Sequence, residues 1–435
     1  MKRLRKLEPA GTLRLTFAAF TLAFFIAALI APDRADMLNG FIRICTLPAQ
    51  LTRDYFKPEL GGLSASMLNT GLVSLICTAL TLLPGTAVNG VTALAWFLTV
   101  GFGTFGMNPL NMLPLMLGTY IYAKLRREPF AKHIHFAMFS TGVSPIITQV
   151  LLHYPDAAAG PRVTPLGVAL ALGVGVFVGC AMPGLCAHSP GFHKGYNLYN
   201  AGPAAGFLCF LLFAVLYKTL GVEAPVIAAT LGEGHPLFVN AICGILFALC
   251  VVAGFALNGG PGDYKKLFLD PGFRVDFAKK YSAGSVLINL GVYGLFILLY
   301  YNLIGATFTG PTMGVVFCMV CCYAAGATPR TVLPIMLGYG VMGLLHRLGV
   351  TAFAVNSQAL VVGLCFASGL APISGEYGLL AGVFAGILHC CLVTSVPAIH
   401  GGFNLYNGGF TAGIVAFLYV PVLEHYVRKE EHCQR

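Results

Sequence analysis

Two stretches of this sequence could do chemistry, and they are near copies of each other. The first reads His193-Lys194-Gly195-Tyr196-Asn197-Leu198-Tyr199-Asn200, the second His400-Gly401-Gly402-Phe403-Asn404-Leu405-Tyr406-Asn407. An amide presents donors and acceptors together, and an imidazole can serve as either, so these residue types suit recognition of a polar solute. If each stretch is helical, His193, Asn197 and Asn200 fall at i, i+4 and i+7 on one face, and so do His400, Asn404 and Asn407. An amide left unpaired in hydrocarbon costs several kcal/mol, so such stripes should border protein or a water-filled path. Pro190 and Pro397 stand just before them and predict a helix that starts or breaks within the membrane, its free N–H groups facing a polar or anionic solute. Tyr199 and Tyr406 complete the candidate pathway. The competing role for the asparagines is to fasten helices together.

Weaker candidates surround a second repeated block. Phe139-Ser140-Thr141-Gly142-Val143-Ser144-Pro145 matches Phe366-Ala367-Ser368-Gly369-Leu370-Ala371-Pro372, which puts Ser144 and Ser368 beside the helix breakers Pro145 and Pro372. Asn69 and Asn289 are also matched. Aspartates and glutamates fall in loops, tails or segment ends, with only Glu376 near an apolar core. That leaves His193, His400 and His389 as the titratable groups for any proton-coupled step. No acidic or cysteine partner stands at ligand spacing from a histidine, so no metal is expected. The cysteines lie mostly in apolar stretches and read as small packing residues. No Walker loop, dinucleotide fingerprint or H-E-x-x-H occurs, and no cofactor is expected.

The elements that must hold these residues are membrane helices. Of 435 residues, 57% are hydrophobic and 10% charged, against about 25% charged in a soluble domain, so lipid must solvate much of the surface. The net charge of +10 comes from basic residues in short loops, which argues for membrane topology and against a nucleic-acid partner. Apolar segments fall near 13–31, 67–84, 88–106, 109–124, 134–152, 165–183 and 196–217, then near 237–257, 285–303, 309–326, 331–345, 352–371, 377–395 and 403–423. The expected fold is an all-α polytopic membrane protein of about 12–14 transmembrane or re-entrant helices. The domain plan is a basic N-terminus at 1–12, a first repeat at 13–218, a connector at 219–236, a second repeat at 237–424 and a tail at 425–435.

The duplication extends well beyond the two motifs. Pro190 and Gly175 have counterparts 207 residues on, at 397 and 382. Pro109, Leu113 and Gly118 have counterparts 220 residues on, at 329, 333 and 338. Seven segments per half, an odd number, make the repeats inverted in the membrane. Loop charge agrees: 1–12, 124–132 and 258–284 are basic and fall inside, whereas 32–66 is balanced and falls outside. Within the two longest loops, Leu51–Phe56 and Phe273–Phe277 could form interfacial amphipathic helices or serve as plain connectors.

The doubled G-[YF]-N-L-Y-N-x-G-x-x-A-G pattern, Gly195 to Gly206 and Gly402 to Gly413, resembles an uncharacterised bacterial family of multi-pass membrane proteins. That resemblance implies no activity. A fainter one is to urea transporters, whose inverted halves place Gly-Tyr-Asn-type and Pro-Phe-Asn-type segments near a central pore. The expected function is a transporter or channel for a small polar solute, with its pathway between the repeats. The alternatives are an intramembrane enzyme using a histidine base on a lipid-linked substrate, with His188-Ser189 as candidate, and a sensor without flux. An enzyme is not expected. The expected partners are the solute and the bilayer, with a homo-oligomer left open. The expected location is the plasma (cytoplasmic) membrane, with the N-terminus cytoplasmic.

Overall fold

The computed structural model describes residues 8–46, 53–156, 160–225 and 232–427, and these are helical with no strand among them. Hydrocarbon offers no partner for backbone N–H and C=O groups, and a helix satisfies them internally. The first half runs α1 Pro9–Ile30, α2 Met37–Thr46, α3 Leu63–Thr81, α4 Gly90–Gly101, α5 Pro109–Leu125, α6 Ile134–Ser140, α7 Ser144–Leu152, α8 Pro165–His193 and α9 Ala201–Phe213. The second runs α10 Pro236–Asn258, α11 Tyr264–Leu269, α12 Phe277–Lys280, α13 Ala283–Leu303, α14 Gly310–Val320, α15 Pro329–Arg347, α16 Gln358–Ala367, α17 Ala371–Val393 and α18 Asn407–Tyr426. Among the described residues nine helical runs are long and apolar enough to cross a membrane, and two shorter apolar runs span Gly90–Thr104 and Gly310–Ala324.

Those two short helices, α4 and α14, form the core. Val91 is exposed, but every other residue of the pair is buried. Glycine lets them touch: a Cβ on Gly101 would lie 2.5 Å from the Gly314 carbonyl oxygen, and one on Gly314 would lie 2.3 Å from that of Gly101. Thr104 Oγ1 donates across the seam to the Gly310 carbonyl at 2.7 Å. The far end of each short helix is closed by an asparagine from its own half. Asn69 Nδ2 on α3 donates to the carbonyls of Gly103 (2.7 Å) and Met107 (2.8 Å). Asn289 Nδ2 on α13 donates to those of Tyr323 (2.8 Å) and Ala327 (2.9 Å). Leucine at either position leaves two buried carbonyls unpaired, at about 1–3 kcal/mol each. We therefore expect Asn69→Leu and Asn289→Leu each to cost about 2 kcal/mol or more, read as thermal unfolding in detergent. A loss confined to one of them would show that the two bonds are not equivalent.

Two expectations need correction. Segment 352–371 is shorter, because α16 starts at Gln358. It continues through a 3-10 turn at Ser368–Leu370 into α17, which also takes in segment 377–395. The division falls at Gly378, whose φ of +86° and ψ of −174° break the helix inside α17, a conformation that only glycine adopts cheaply. Segments 196–217 and 403–423 become helical only at Ala201 and Asn407. Of the two loop stretches open to either an amphipathic helix or a connector, Arg53–Phe56 is non-helical, with Leu51 and Thr52 outside the described residues, and the helix beyond Asp276 is the single turn α12.

Candidate functional site

Both polar motifs are loops, so the single-faced helical stripes do not exist. Helix α8 stops at His193 because Lys194 (φ +53°) and Gly195 (φ +84°) turn left-handed; Gly401 (φ +64°) and Gly402 (φ +73°) do the same after His400. A left-handed residue ends an α-helix by redirecting the chain. Within each loop the asparagine folds onto its own backbone: Asn197 Oδ1 accepts from Tyr199 N–H at 3.0 Å, and Asn404 Oδ1 from Tyr406 N–H at 3.0 Å. His193 Nδ1 accepts from Asn197 N–H at 3.3 Å, which puts its proton on Nε2. His400 Nε2 donates to Asn407 Oδ1 at 2.9 Å, and Asn407 Nδ2 donates to the Val393 carbonyl at 3.1 Å.

Each loop is docked on the other half of the chain. Leu198 N–H donates to the Gly369 carbonyl (2.9 Å), and Leu405 N–H donates to the Gly142 carbonyl (2.8 Å). Gly142 and Gly369 are the middle residues of the 3-10 turns Thr141–Val143 and Ser368–Leu370, which interrupt α6–α7 and α16–α17. Their missing side chains make room for a tyrosine. A Cβ on Gly142 would lie 1.9 Å from Tyr406 Cε2, and one on Gly369 would lie 2.4 Å from Tyr199 Cδ2. Asn197 Nδ2 adds a bond to the Gly409 carbonyl at 2.9 Å. The starts of α9 and α18 touch there, since a Cβ on Gly202 would lie 2.3 Å from Gly409 C.

The remaining candidates serve this docking. Tyr199 Oη donates to the Cys318 carbonyl (3.0 Å) and meets Ser368 Oγ (3.0 Å), which itself donates to the Cys365 carbonyl (2.5 Å). Ser144 Oγ donates to the Gly106 carbonyl at 3.2 Å. Tyr406 stacks edge-on to Phe102 at 5.2 Å, Tyr199 packs on Phe366 at 5.2 Å, and Phe102 and Phe366 are 6.3 Å apart, so the four rings form one cluster. Pro145 and Pro372 each take the second position of a helix, where the missing N–H costs nothing. Pro190 lies in the last turn of α8 and Pro397 in a 3-10 turn at Val396–Ile399, so neither starts a helix facing a solute. His389 is spent, accepting from Tyr339 Oη at Nδ1 (2.8 Å) and donating from Nε2 to the Gly408 carbonyl (2.9 Å).

The two motifs differ in access. His193, Asn197 and Tyr199 are buried just as His400, Asn404 and Tyr406 are; the difference lies at the last residue, where Asn407 is 5% exposed and Asn200 is exposed. Asn197 and Asn200 line a cleft of about 420 Å³ with Gly195, Phe139, Ala325, Arg274, Asp276 and Lys279. A second cavity of about 440 Å³ is lined by Phe56, Lys57, Pro58, Glu59, Gly232, Glu233 and His235.

Beside each cavity stands an aspartate from a long connector. Asp276 accepts from Gly90 N–H at 3.2 and 3.3 Å, at the start of α4. Asp54 Oδ1 accepts from Gly310 N–H at 2.8 Å, at the start of α14, and from Phe56 N–H at 3.0 Å. Each half thus supplies the carboxylate that caps the other half's short helix, where the free N–H groups and the helix dipole favour negative charge. Asp54 is fully buried, and burial pushes its carboxyl above the usual range although the Gly310 and Phe56 amides, His235 and Lys57 pull it down. The available signal was the aspartate-aromatic pair recurring in both long loops, together with the aligned Gly90 and Gly310.

Helices of this length and hydropathy, arranged around two short core helices, define an all-α, multi-pass membrane protein. Among the described residues no cluster of three His, Cys, Asp or Glu could hold a metal ion. The chain belongs to the DUF1576 family of proteins of unknown function, whose model matches residues 33–218 and 261–425. No curated protein and no solved structure matches it.

Proposed function

We propose that this protein moves a small polar solute across the membrane, along a path between two inverted repeats. The observation that carries this reading is the 420 Å³ cleft that reaches Asn200, the exposed last residue of the first polar motif, while its counterpart Asn407 in the second motif is buried. Equivalent polar elements, one open and one shut, suit a protein that admits its solute from one side at a time. The ring cluster of Tyr199, Tyr406, Phe102 and Phe366 is then the closed barrier, and the glycine turns at 142 and 369 are the places where it yields. The odd number of segments per half and the opposite loop charges support inversion, and in this reading the cleft opens on the cytoplasmic side with the basic loop 258–284. In this orientation the protein sits in the cytoplasmic membrane.

The test is solute uptake into proteoliposomes. Asn200→Trp fills the cleft and removes the exposed amide beside His193, but leaves the bonds that dock the loop on Gly369 and Gly409 in place. It should cut flux by about tenfold, about 1.4 kcal/mol in barrier height, while leaving thermal unfolding unchanged. Full uptake by that variant would end the assignment of the cleft to the pathway.

A further inference from the structure

We infer that the solute of this cleft is a small anion of the carboxylate class; the inference rests on the transport reading above. Two cations line the cleft and one carboxylate does, and that carboxylate is already committed. Both oxygens of Asp276 face Gly90 N–H, and Lys279 Nζ stands 3.8 Å from Oδ2. What is left over is positive.

Arg274 is held as a receptor group rather than left as a loose loop cation. Its guanidinium lies 5.0 Å from the Phe273 ring and donates to the Lys194 carbonyl at 3.0 Å. Its backbone sits at φ +49°, a conformation that residues with side chains rarely hold. Strain of this kind concentrates at binding sites. Gly195 leaves the space it occupies, since a Cβ there would lie 2.8 Å from Nε. A planar guanidinium fixed in this way matches a carboxylate, which accepts two parallel N–H bonds. The exposed amide of Asn200, which also lines the cleft, supplies a further donor. Lys265 and Lys266, in the same basic loop, take no part in the cleft, so the loop's general positive charge does not by itself account for where Arg274 and Lys279 lie.

The experiment compares proteoliposome uptake of three solutes of similar size: lactate, glycerol and 1-amino-2-propanol. Lactate should enter fastest. The double variant Arg274→Gln/Lys279→Gln should lower lactate uptake by about tenfold or more, the worth of a lost charge-assisted bond, with little change for glycerol. Lys265→Gln should leave all three rates unchanged. Uptake of glycerol or the amine at the lactate rate, unaffected by the double variant, overturns the anion inference and leaves the transport reading standing. No uptake of any of the three by folded, reconstituted protein overturns the transport reading, and this inference with it.

Discussion

Gly142→Ala should lower stability by about 3 kcal/mol, the upper end of the cost of overpacking a tight core. The added methyl would sit 1.9 Å from the edge of the Tyr406 ring, and Tyr406 is fully buried against Phe102. The ring has nowhere to swing, because Leu405 N–H is bonded to the Gly142 carbonyl itself. The loop and the turn must therefore separate together. Gly369→Ala should cost less, since its Cβ would meet Tyr199 at 2.4 Å instead of 1.9 Å. Pairing Gly142→Ala with Tyr406→Leu should recover part of the loss, by exchanging a steric clash for a smaller, more flexible side chain. Thermal unfolding of the purified protein in detergent, with fluorescence-detected gel filtration for folding, reads all three. A Gly142→Ala protein as stable as the wild type would show that the cross-half docking does not hold the molecule together.

Asp54→Ala should be nearly as damaging. It leaves the Gly310 and Phe56 N–H groups, both buried, without their acceptor, at about 1–3 kcal/mol each. Asp276→Ala should cost less, because the Asp276 side chain is 20% exposed and water can replace it at Gly90. Asp54→Asn keeps an acceptor oxygen and should restore most of the stability. The sign with pH is opposite to that of a surface ion pair. Burial raises the Asp54 carboxyl in the folded protein, so the folded state binds this proton more tightly than the unfolded state. Its contribution to stability therefore grows as pH falls through the folded value, is complete below the unfolded one, and is a penalty at neutral pH. The difference in stability between wild type and Asp54→Asn should accordingly shift toward the wild type on acidification. A constant difference between neutral pH and pH 4 would remove the burial argument.

The class of this protein was legible because hydropathy is a direct record of the solvent. Apolar runs such as Leu13–Ile30 and Pro236–Asn258 can only be helices in lipid, and the structure has helices there. The form of the polar motifs was not legible. His193, Asn197 and Asn200 are spaced as on a helix, yet Gly195 and the Gly401–Gly402 pair carry the contrary signal: glycines that allow a left-handed turn. In these stretches the chain-reversing glycines override the helical periodicity. The aspartate caps were out of reach for another reason. Asp54 and Gly310 are 256 residues apart and Asp276 and Gly90 are 186 apart, and local pattern reading has no view of partners that distant. Gly378 was hidden because one glycine divides in the second half what a much longer stretch of sequence separates in the first, between the end of α7 at Leu152 and the start of α8 at Pro165.

The crossed caps also set a schedule for biogenesis. Asp54 leaves the ribosome 256 residues before the amide it will accept from, an interval of roughly 10–50 s at ordinary translation speed. Through that interval the first half is in the bilayer with its future buried carboxylate still hydrated and the partner of α4 not yet made. The nascent chain therefore cannot settle its amino-terminal half and then append the rest; both halves must close on one another after the last helices emerge, and membrane quality control has that long to intervene.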